Sequence, residues 1–399
     1  MTTLANPQTK IDHLRSQLPA TQATAYFNAG TNGPLSIVAH DTLVAAAHKE
    51  LHTGRIVPGI YESHAVRNDR IRALLAETFH ALPAEFALTR STTEGLNIAL
   101  HGLDWERGDE VVTTNLEHPG LITPLALLAH RYGLEIRVAD IGRGDGDVIG
   151  AIHDSITPRT RVIALSHLIW SSGAILPLDS IVEVAHDHGA LVIVDAAQSA
   201  GQIPVNLHAS EVDVYAIAGQ KWLCGPEGTG AVFIRQNLTS AIRPTFIRYA
   251  QADISGYLLP ASGARRYEMG ESYSPSLLGL EATLIWLKDD VGWDWLHGRI
   301  NELGRLCWDT LAAIPSLTVT TPRDRMAGLV CFSVEGFTPQ AITSELFKRG
   351  ITIRYVAYPP GPTVARVAVG WWNTEEEISG LGANLAEIIA AGPEAVSSK

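Results

Sequence analysis

The 399-residue chain has few lysines, few cysteines and no long apolar run, and each shortage excludes a class of protein. The net charge is −12, and the 30 basic residues, of which only 6 are lysines, form no cluster. A nucleic-acid partner is therefore not expected, because phosphate backbones are bound by clustered cations. The 3 cysteines include no CxxC pair, so the sequence predicts neither a disulfide framework nor a metal site.

Membrane and targeting segments are also missing from the sequence. No run approaches the length of a bilayer-spanning helix, and the N-terminal residues do not combine a charged region with an apolar one. We therefore predict a cytoplasmic protein without a membrane partner. Hydrophobic residues make up 46% of the chain and charged residues 18%, which is typical of a globular protein.

The middle of the chain has the pattern of an α/β domain. Short apolar runs rich in Val, Ile and Ala alternate there with amphipathic runs of helical spacing. The predicted strands are residues 86–90, 109–115, 134–141, 161–168, 190–198, 212–219 and 230–235. Their near-continuous apolar composition is typical of a mainly parallel sheet that is covered on both faces.

From about residue 275 the sequence changes to the pattern of a smaller α+β domain. Helices are predicted over residues 277–296, 338–350 and 374–392, and strands around residues 316–321, 327–336, 351–357 and 365–372. A chain of this length exceeds the usual size of one core. We predict a large domain over residues 21–270, a small domain over residues 271–399, and an N-terminal segment over residues 1–20 that packs with the small domain.

Polar residues follow the predicted strands, and in an open α/β sheet such strand ends meet at one edge. These residues are Thr92, Thr93, His118, His167, Asp195, Gln198 and Lys221. A buried acid and a buried lysine are each costly alone. Pyridoxal phosphate (PLP) satisfies both, because Lys221 forms an imine with its aldehyde and Asp195 keeps its ring nitrogen protonated. Gln198 is placed to hydrogen-bond the ring hydroxyl.

Each of these assignments has a plainer alternative. Asp195 and Lys221 also fit a structural ion pair, loop caps, or a site where the acid holds a metal ion for phosphoryl chemistry. Thr92 and Thr93 begin a helix whose free amides suit the PLP phosphate, although the same residues fit an ordinary helix cap. His118 is placed to stack on the cofactor ring, whereas one loop histidine among 15 needs no function.

Several longer motifs resemble the class V aminotransferase family. They are YFNAGTNGPL, TRSTTEGLNIALHGLDW, TNLEHPG, SHLIWSSGAILPL, VDAAQSAGQIPV, AGQKWLCGPEGTG and RVAVGWWNTEEEI. This family includes cysteine desulfurases, isopenicillin N epimerase-like proteins and cystine C-S lyases, and the chain looks most similar to the lyases. The resemblance implies the type I fold of PLP-dependent transferases and a homodimer with active sites at the interface.

The resemblance also implies roles for individual residues. The implied cofactor ligands are Lys221, His118, Asp195, Gln198, Gln220, His167, Thr92 and Thr93, with Ser272 or Ser274 reaching the phosphate of the neighbouring subunit. The implied substrate ligands are Arg366, Arg354, Asn28 and Trp170. Arg366 is expected to bind the substrate carboxylate, with Arg354 as a second candidate, although both arginines also fit surface positions.

The chain departs from the family at positions that affect the reaction. The family usually has His at the position of Gln220 and a hydroxyl residue at that of Ala218, so the phosphate contacts are expected to differ. Desulfurases carry a persulfide-forming cysteine on the loop before the carboxylate-binding arginine, and residues 355–366 contain none.

We therefore predict β-elimination on cystine, an S-substituted cysteine or its sulfoxide. Lys221 is expected to remove the Cα proton, and pyruvate, ammonia and a sulfur compound are the expected products. Transamination or epimerisation is the first alternative, because these reactions branch only after proton loss. Desulfuration follows, and a non-catalytic PLP-fold scaffold comes last.

Overall fold

The computed structural model describes residues 7–248, 255, 261–270, 272–357 and 363–394. The helices are α1 (Pro7–Ser16), α2 (Ala20–Ala23), α3 (Ile37–Thr53), α4 (Ile60–Phe79), α5 (Thr92–Gly102), α6 (Pro119–Tyr132), α7 (Val148–Ser155), α8 (Leu178–Asp187), α9 (Ser274–Trp286), α10 (Trp293–Ala312), α11 (Pro339–Lys348) and α12 (Glu375–Ala391). The strands are β1 (Ala25–Tyr26), β2 (Phe86–Thr89), β3 (Glu110–Thr114), β4 (Glu135–Ala139), β5 (Thr160–Ser166), β6 (Leu191–Asp195), β7 (Val214–Ala218), β8 (Gly230–Ile234), β9 (Leu317–Val319), β10 (Leu329–Val334), β11 (Ile351–Thr352), β12 (Arg354–Ala357) and β13 (Thr363–Ala368).

The larger sheet has seven strands in the order β2-β8-β7-β6-β5-β3-β4. The pairs from β7 to β4 are parallel, whereas β8 is antiparallel to both β7 and β2. Each strand of this sheet falls inside a predicted run or extends beyond it by one residue. The prediction of a mainly parallel seven-stranded sheet is therefore confirmed. Because β2 and β7 are both antiparallel to β8, the carboxyl ends of β2, β3, β5, β6 and β7 share one edge.

Successive side chains of a strand point to opposite faces of the sheet, and both faces of the central strands are covered by apolar clusters. On β6, Val192 and Val194 belong to one apolar cluster and Ile193 belongs to another. Ile181 of α8 packs in the first cluster and Leu96 of α5 in the second. Full burial of one such side chain stabilises the fold by about 1.5–3 kcal/mol.

The C-terminal part contains an antiparallel sheet in the order β12-β13-β10-β9. Leu303 of α10, Phe332 of β10 and Leu385 of α12 share its core, which confirms the predicted smaller α+β part. The prediction of one strand over residues 351–357 is wrong. β11 pairs with β1, and β12 pairs with β13, because the chain leaves one sheet for the other at the buried residue Ile353.

The helix predicted over residues 277–296 is in fact two helices. α9 ends at Trp286, the segment Leu287–Val291 forms a π-helical turn, and α10 begins at Trp293. Gly292 lies between them with φ of 81°, a conformation that favours glycine. The apolar spacing continues across this break, so the pattern alone did not locate it.

Helix α1 contacts the C-terminal part of the chain. Arg15 forms an ion pair of 2.7 Å with Glu377, and Lys10 Nζ donates a 2.7 Å hydrogen bond to the carbonyl of Val291. Strand β1, which the sequence assigned to the large domain, pairs with β11. The three domain boundaries stay predictions.

Two features that would signal other functions do not occur in the described ranges. No helix there is both long and apolar enough to cross a bilayer. Nor do His, Cys, Asp and Glu side chains gather there in groups of three or more that would suit a metal ion.

Candidate active site

Strand ends bring the predicted site residues to one edge of the larger sheet. Ser166 at the end of β5 is paired with Asp195 at the end of β6, and Asp195 is paired with Ala216 of β7. Lys221 lies in the turn that follows β7, and His118 caps α6 after β3. Residues distant in the chain therefore meet where ligands of open α/β sheets bind.

Asp195 and Lys221 form the electrostatic centre of this edge. Burial raises the pKa of the Asp195 carboxyl, and the charge of Lys221 opposes that rise. Burial also lowers the pKa of the Lys221 amine to about 8, although Asp195 acts in the opposite direction. Asp195 Oδ1 accepts a 2.9 Å hydrogen bond from the Ala197 amide. Each side chain thus stabilises the charged form of the other, and about a tenth of the Lys221 amine is neutral near pH 7.

His118 is held between two helix starts. Its Nδ1 accepts a 2.9 Å hydrogen bond from the Gly120 amide, which leaves the proton of the neutral ring on Nε2. Its ring packs edge-on against Trp170, with centroids 4.7 Å apart. A Cβ built on Gly120 would lie 2.7 Å from Thr93 Oγ1, so α5 and α6 begin side by side and a side chain at this position would force Thr93 to shift.

The charge state of His118 follows from its surroundings. Burial lowers the pKa of the imidazole to about 4, and the positive charges of Lys221, Arg366 and Arg354 contribute to this effect. The ring is therefore neutral at physiological pH. These three cations surround His118 in a protein whose net charge is −12, which makes the site locally suited to anions.

The predicted phosphate site contains polar atoms without partners. Thr92 and Thr93 begin α5, where the first backbone amides have no acceptor within the helix. The N-cap itself is Ser91, whose hydroxyl accepts a 3.1 Å hydrogen bond from Glu94 N. Thr92 Oγ1 and Gln220 Oε1 are buried and have no hydrogen-bond partner within the described chain. Buried polar atoms are nearly always paired, so these two indicate a place for a polar ligand.

Gln198 connects the lysine turn to the N-terminal loop. Its Nε2 donates a 2.9 Å hydrogen bond to Gly30 O, and its Oε1 accepts a 3.0 Å hydrogen bond from Trp222 Nε1. A Cβ built on Gly30 would lie 3.1 Å from Gln198 Oε1 and 3.0 Å from Arg366 Nη2. The absence of a side chain at Gly30 therefore lets the glutamine and the arginine approach the same loop.

Arg366 is a buried guanidinium that lacks a counter-ion among the described residues. It is 2% exposed, and burial lowers its pKa to about 10. Nη1 donates a 3.1 Å hydrogen bond to Trp170 O, and Nη2 donates a 3.3 Å hydrogen bond to Thr31 Oγ1. Its Nε is buried and has no partner in the part of the chain that the structure describes. A buried cation of this kind needs an anion, and a carboxylate matches its fork geometry.

A cleft of about 610 Å³ opens beside these groups. Asn28, His118, Trp170, Arg354 and Tyr355 contribute to its lining. Three of the four predicted substrate ligands therefore face one cavity, and the fourth, the buried arginine, bonds to the carbonyl of Trp170. Their roles stay predictions.

His167 and Ser274, which are both predicted cofactor ligands, have other neighbours in this chain. His167 is buried, and its Nδ1 lies 3.0 Å from Tyr215 Oη. Ser274 begins α9 and accepts a hydrogen bond from Arg67 Nη1. Neither Ser272 nor Ser274 bonds to the other predicted site residues within the described ranges, and contact across a dimer interface stays a prediction. Residues 358–362, which belong to the loop predicted to lack a sulfur-carrying cysteine, lie outside the described residues.

Sequence reasoning missed Glu117, which directly precedes His118. Its carboxylate accepts hydrogen bonds of 2.6 Å from Thr114 Oγ1 and of 2.9 and 2.6 Å from the amide and hydroxyl of Ser166. Burial raises its pKa to about 7 in spite of these bonds. Glu117 therefore ties the loop of His118 to the strand end beside Asp195. Its place in the motif TNLEHPG was the only signal in the sequence.

All 3 cysteines of the chain are buried and reduced. Cys224, Cys307 and Cys331 are each 0% exposed. Burial raises the pKa of Cys224, and raises the pKa values of Cys307 and Cys331 to about 12. None of these thiols is therefore an accessible thiolate.

Comparison with known proteins agrees with this geometry. A probable cysteine desulfurase of Methanothermobacter thermautotrophicus is 27% identical over 401 residues, which cover 96% of this chain and 99% of the relative. The structure of the cystine C-S lyase C-DES with its reaction product cysteine persulfide has a TM-score of 0.88 and 31% identity, and covers 93% of this chain and 99% of that chain. A C-DES variant with glycine covalently linked to its PLP cofactor has a TM-score of 0.89 and 31% identity, and covers 94% and 99% of the two chains.

The family assignment rests on most of the chain. Residues 26–381 match the family model described as Aminotransferase class-V. This match confirms the resemblance seen in the sequence motifs, and the fold agrees with it. The chain therefore belongs to the class V aminotransferase family, a family of PLP-dependent enzymes.

Proposed function

We propose that this protein is a PLP-dependent C-S lyase that performs β-elimination on cystine or another cysteine-derived amino acid. The burial of all 3 cysteines is the observation that favours this reaction over desulfuration. A desulfurase needs an accessible thiolate to attack the substrate sulfur. Similarity to C-DES, a cystine C-S lyase, supports the same choice, whereas the relatives named cysteine desulfurases support the wider family activity.

The residues at the sheet edge fit PLP. The Lys221 amine suits its aldehyde, and the buried carboxyl of Asp195 suits a protonated ring nitrogen. The unpartnered atoms of Thr92 and Gln220 suit a phosphate at the start of α5. When bound, the cofactor supplies an electron sink for the pair of electrons that proton removal leaves at the substrate Cα.

Lys221 is assigned the proton transfer, and His118 is assigned a hydrogen-bond-donating role beside it. The Lys221 amine, with a pKa of about 8, accepts the Cα proton in its neutral form and returns a proton in its charged form. His118 Nδ1 accepts from the Gly120 amide, so Nε2 carries the proton of the neutral ring and is the atom left to donate a hydrogen bond. The neutral ring also avoids placing another positive charge beside the lysine.

The two arginines are proposed to hold the substrate. Arg366 binds the α-carboxylate because it is buried and has hydrogen-bonding capacity to spare. Arg354 is exposed and lines the cleft, so it can reach a second carboxylate at the far end of a longer substrate. Cystine has two carboxylates, and its elimination consumes water and yields cysteine persulfide, pyruvate and ammonia.

Two parts of this proposal remain sequence predictions, namely the homodimer with active sites at its interface and the cytoplasmic location. Transamination or epimerisation stays the first alternative reaction. The non-catalytic scaffold is disfavoured because Lys221 lies within electrostatic reach of Asp195, His118 and Arg366.

A substrate-panel assay tests the reaction. The purified PLP-loaded enzyme is given cystine, cysteine, S-methylcysteine and its sulfoxide, and pyruvate, ammonia, alanine and sulfur products are measured. Pyruvate formed in step with sulfur release is the expected result. Alanine in place of pyruvate would identify a desulfurase, and a keto acid or an inverted Cα centre without sulfur release would identify the first alternative.

Single alanine variants of the cysteines test the role of thiols. Because none of the 3 thiols is accessible, Cys224→Ala, Cys307→Ala and Cys331→Ala are each expected to keep the kcat of pyruvate formation close to that of the wild type. Thermal unfolding of each variant is measured in parallel, since a buried substitution lowers stability. A folded variant that loses sulfur release would show that a cysteine carries sulfur.

Cofactor loading is expected to depend on pH. Only the neutral amine attacks the PLP aldehyde, and the pKa of Lys221 is lowered to about 8. The rate at which the apoprotein takes up PLP should therefore rise from pH 6 to pH 8 and level off above pH 9. Stopped-flow absorbance measures this rate. A rate that keeps rising towards pH 10.5, the ordinary value for lysine, would contradict the lowered pKa.

A further inference from the structure

Thr31 lies at the centre of the guanidinium pair. Its Oγ1 accepts hydrogen bonds of 3.0 Å from Arg354 Nη1 and 3.3 Å from Arg366 Nη2, and it donates one of 2.8 Å to Asn28 Oδ1. A hydroxyl has one proton and two lone pairs, so its hydrogen-bonding capacity is fully used. Neither the sequence motif nor the family resemblance assigned Thr31 a role.

The guanidinium groups of Arg354 and Arg366 repel each other. Arg354 and Arg366 are directly paired residues of β12 and β13, and like charges at paired positions are unfavourable. Arg354 is exposed, so its long side chain would otherwise spread over many rotamers in solvent. The hydroxyl of Thr31 is a neutral acceptor that keeps Arg354 close to Arg366 without neutralising either charge.

The loop of Thr31 is itself fixed on the strand of Arg366. The Thr31 amide donates a 3.0 Å hydrogen bond to Asn28 O, which closes a turn. Asn28 forms a bridge with Ala368, two residues beyond Arg366 on β13. The position of the hydroxyl is therefore set by the same strand that carries the buried arginine.

We propose that Thr31 is a positioning residue that sets the separation of the Arg354 and Arg366 guanidiniums, so that the pair binds the two carboxylates of one substrate. This inference rests on the proposed function only for the choice of a substrate with two carboxylates. Thr31 acts through Arg354. It affects which substrate length binds and has no part in the chemical step.

This inference is tested by calorimetry, which measures the affinity of the full-length PLP-loaded protein for suberate and for octanoate. Suberate has two carboxylates separated by a chain of the same number of atoms as in cystine, and octanoate has one carboxylate. Thr31→Val keeps the side-chain shape but removes the hydroxyl. We expect it to weaken suberate binding by about tenfold, the size of one hydrogen bond to a charged group, and to leave octanoate binding unchanged. Thr31→Ser, which keeps the hydroxyl, should restore suberate binding.

A double-mutant cycle separates positioning from a general effect on the fold. If Thr31 acts through Arg354, Thr31→Val should weaken suberate binding little further in a protein that already carries Arg354→Gln. Equal losses for suberate and octanoate, an undiminished effect in the Arg354→Gln protein, or equal affinity of the wild type for both ligands would each overturn the proposal. Because neither ligand reacts, these outcomes do not depend on whether the enzyme is a lyase.

Discussion

Replacement of Lys221 by alanine is expected to lower the kcat of pyruvate formation by about 10⁴-fold or more. The amine is both the attachment point proposed for the cofactor and the base proposed for the Cα proton, and no second lysine follows the ends of the site strands. Removal of Lys221 also takes away the positive charge that opposes the raised pKa of the buried Asp195 carboxyl. The substitution should therefore affect both cofactor attachment and proton removal.

Lys288→Ala is the matched control for Lys221→Ala. Lys288 is a partly exposed lysine of the turn after α9 and forms an ion pair of 2.7 Å with Glu77. An exposed ion pair contributes little, so this variant should keep the kcat and the melting temperature of the wild type. Steady-state kinetics and thermal unfolding are measured for both variants. A folded Lys221→Ala protein with more than about a tenth of the wild-type kcat would show that another group is the base.

Replacement of Arg366 by glutamine is expected to lower kcat/KM for cystine by about 10²- to 10³-fold. The guanidinium is buried and uses Nη1 and Nη2 on Trp170 O and Thr31 Oγ1, while Nε is unpartnered in the described chain. A glutamine amide has no charge for a carboxylate and cannot make these contacts together. Most of the loss should appear as an increase in KM, because the interaction exists before the chemical step.

Arg366→Lys and Arg161→Gln are the controls for this result. The lysine variant keeps the charge but loses the fork, and it should recover only a small part of kcat/KM. Arg161 forms an ion pair of 2.9 Å with Asp109 on the surface, and its removal should change neither KM nor kcat. If Arg366→Gln left KM unchanged and lowered only the melting temperature, the arginine would have a structural role instead.

Much of the larger domain was predictable because its signals are local. Each strand of the large sheet is a short apolar run, and Asp195 ends one of these runs while Lys221 follows another. The break at Gly292 and the division of residues 351–357 between two sheets were not predictable, since apolar spacing continues through both. The rule that parallel strands end at one edge then predicts that the acid and the lysine lie near each other.

The contacts of Thr31 and the burial of the cysteines follow only from the tertiary structure. Thr31 joins Arg354 and Arg366 across more than three hundred residues of chain, and no periodicity links such positions. The burial of Cys307 and Cys331, which weakens the desulfurase alternative, depends on how helices and strands pack in the C-terminal core.

The sequence by itself determined the family, the positions of the seven strands of the larger sheet, and the acid, lysine and histidine at the strand ends, because these follow from local pattern and motif. The tertiary structure decided which hydroxyl lies between the two guanidiniums and which thiols are hidden from solvent. The physical reason is that hydrogen bonds and burial depend on distances between segments remote in the chain, and those distances exist only in the packed fold.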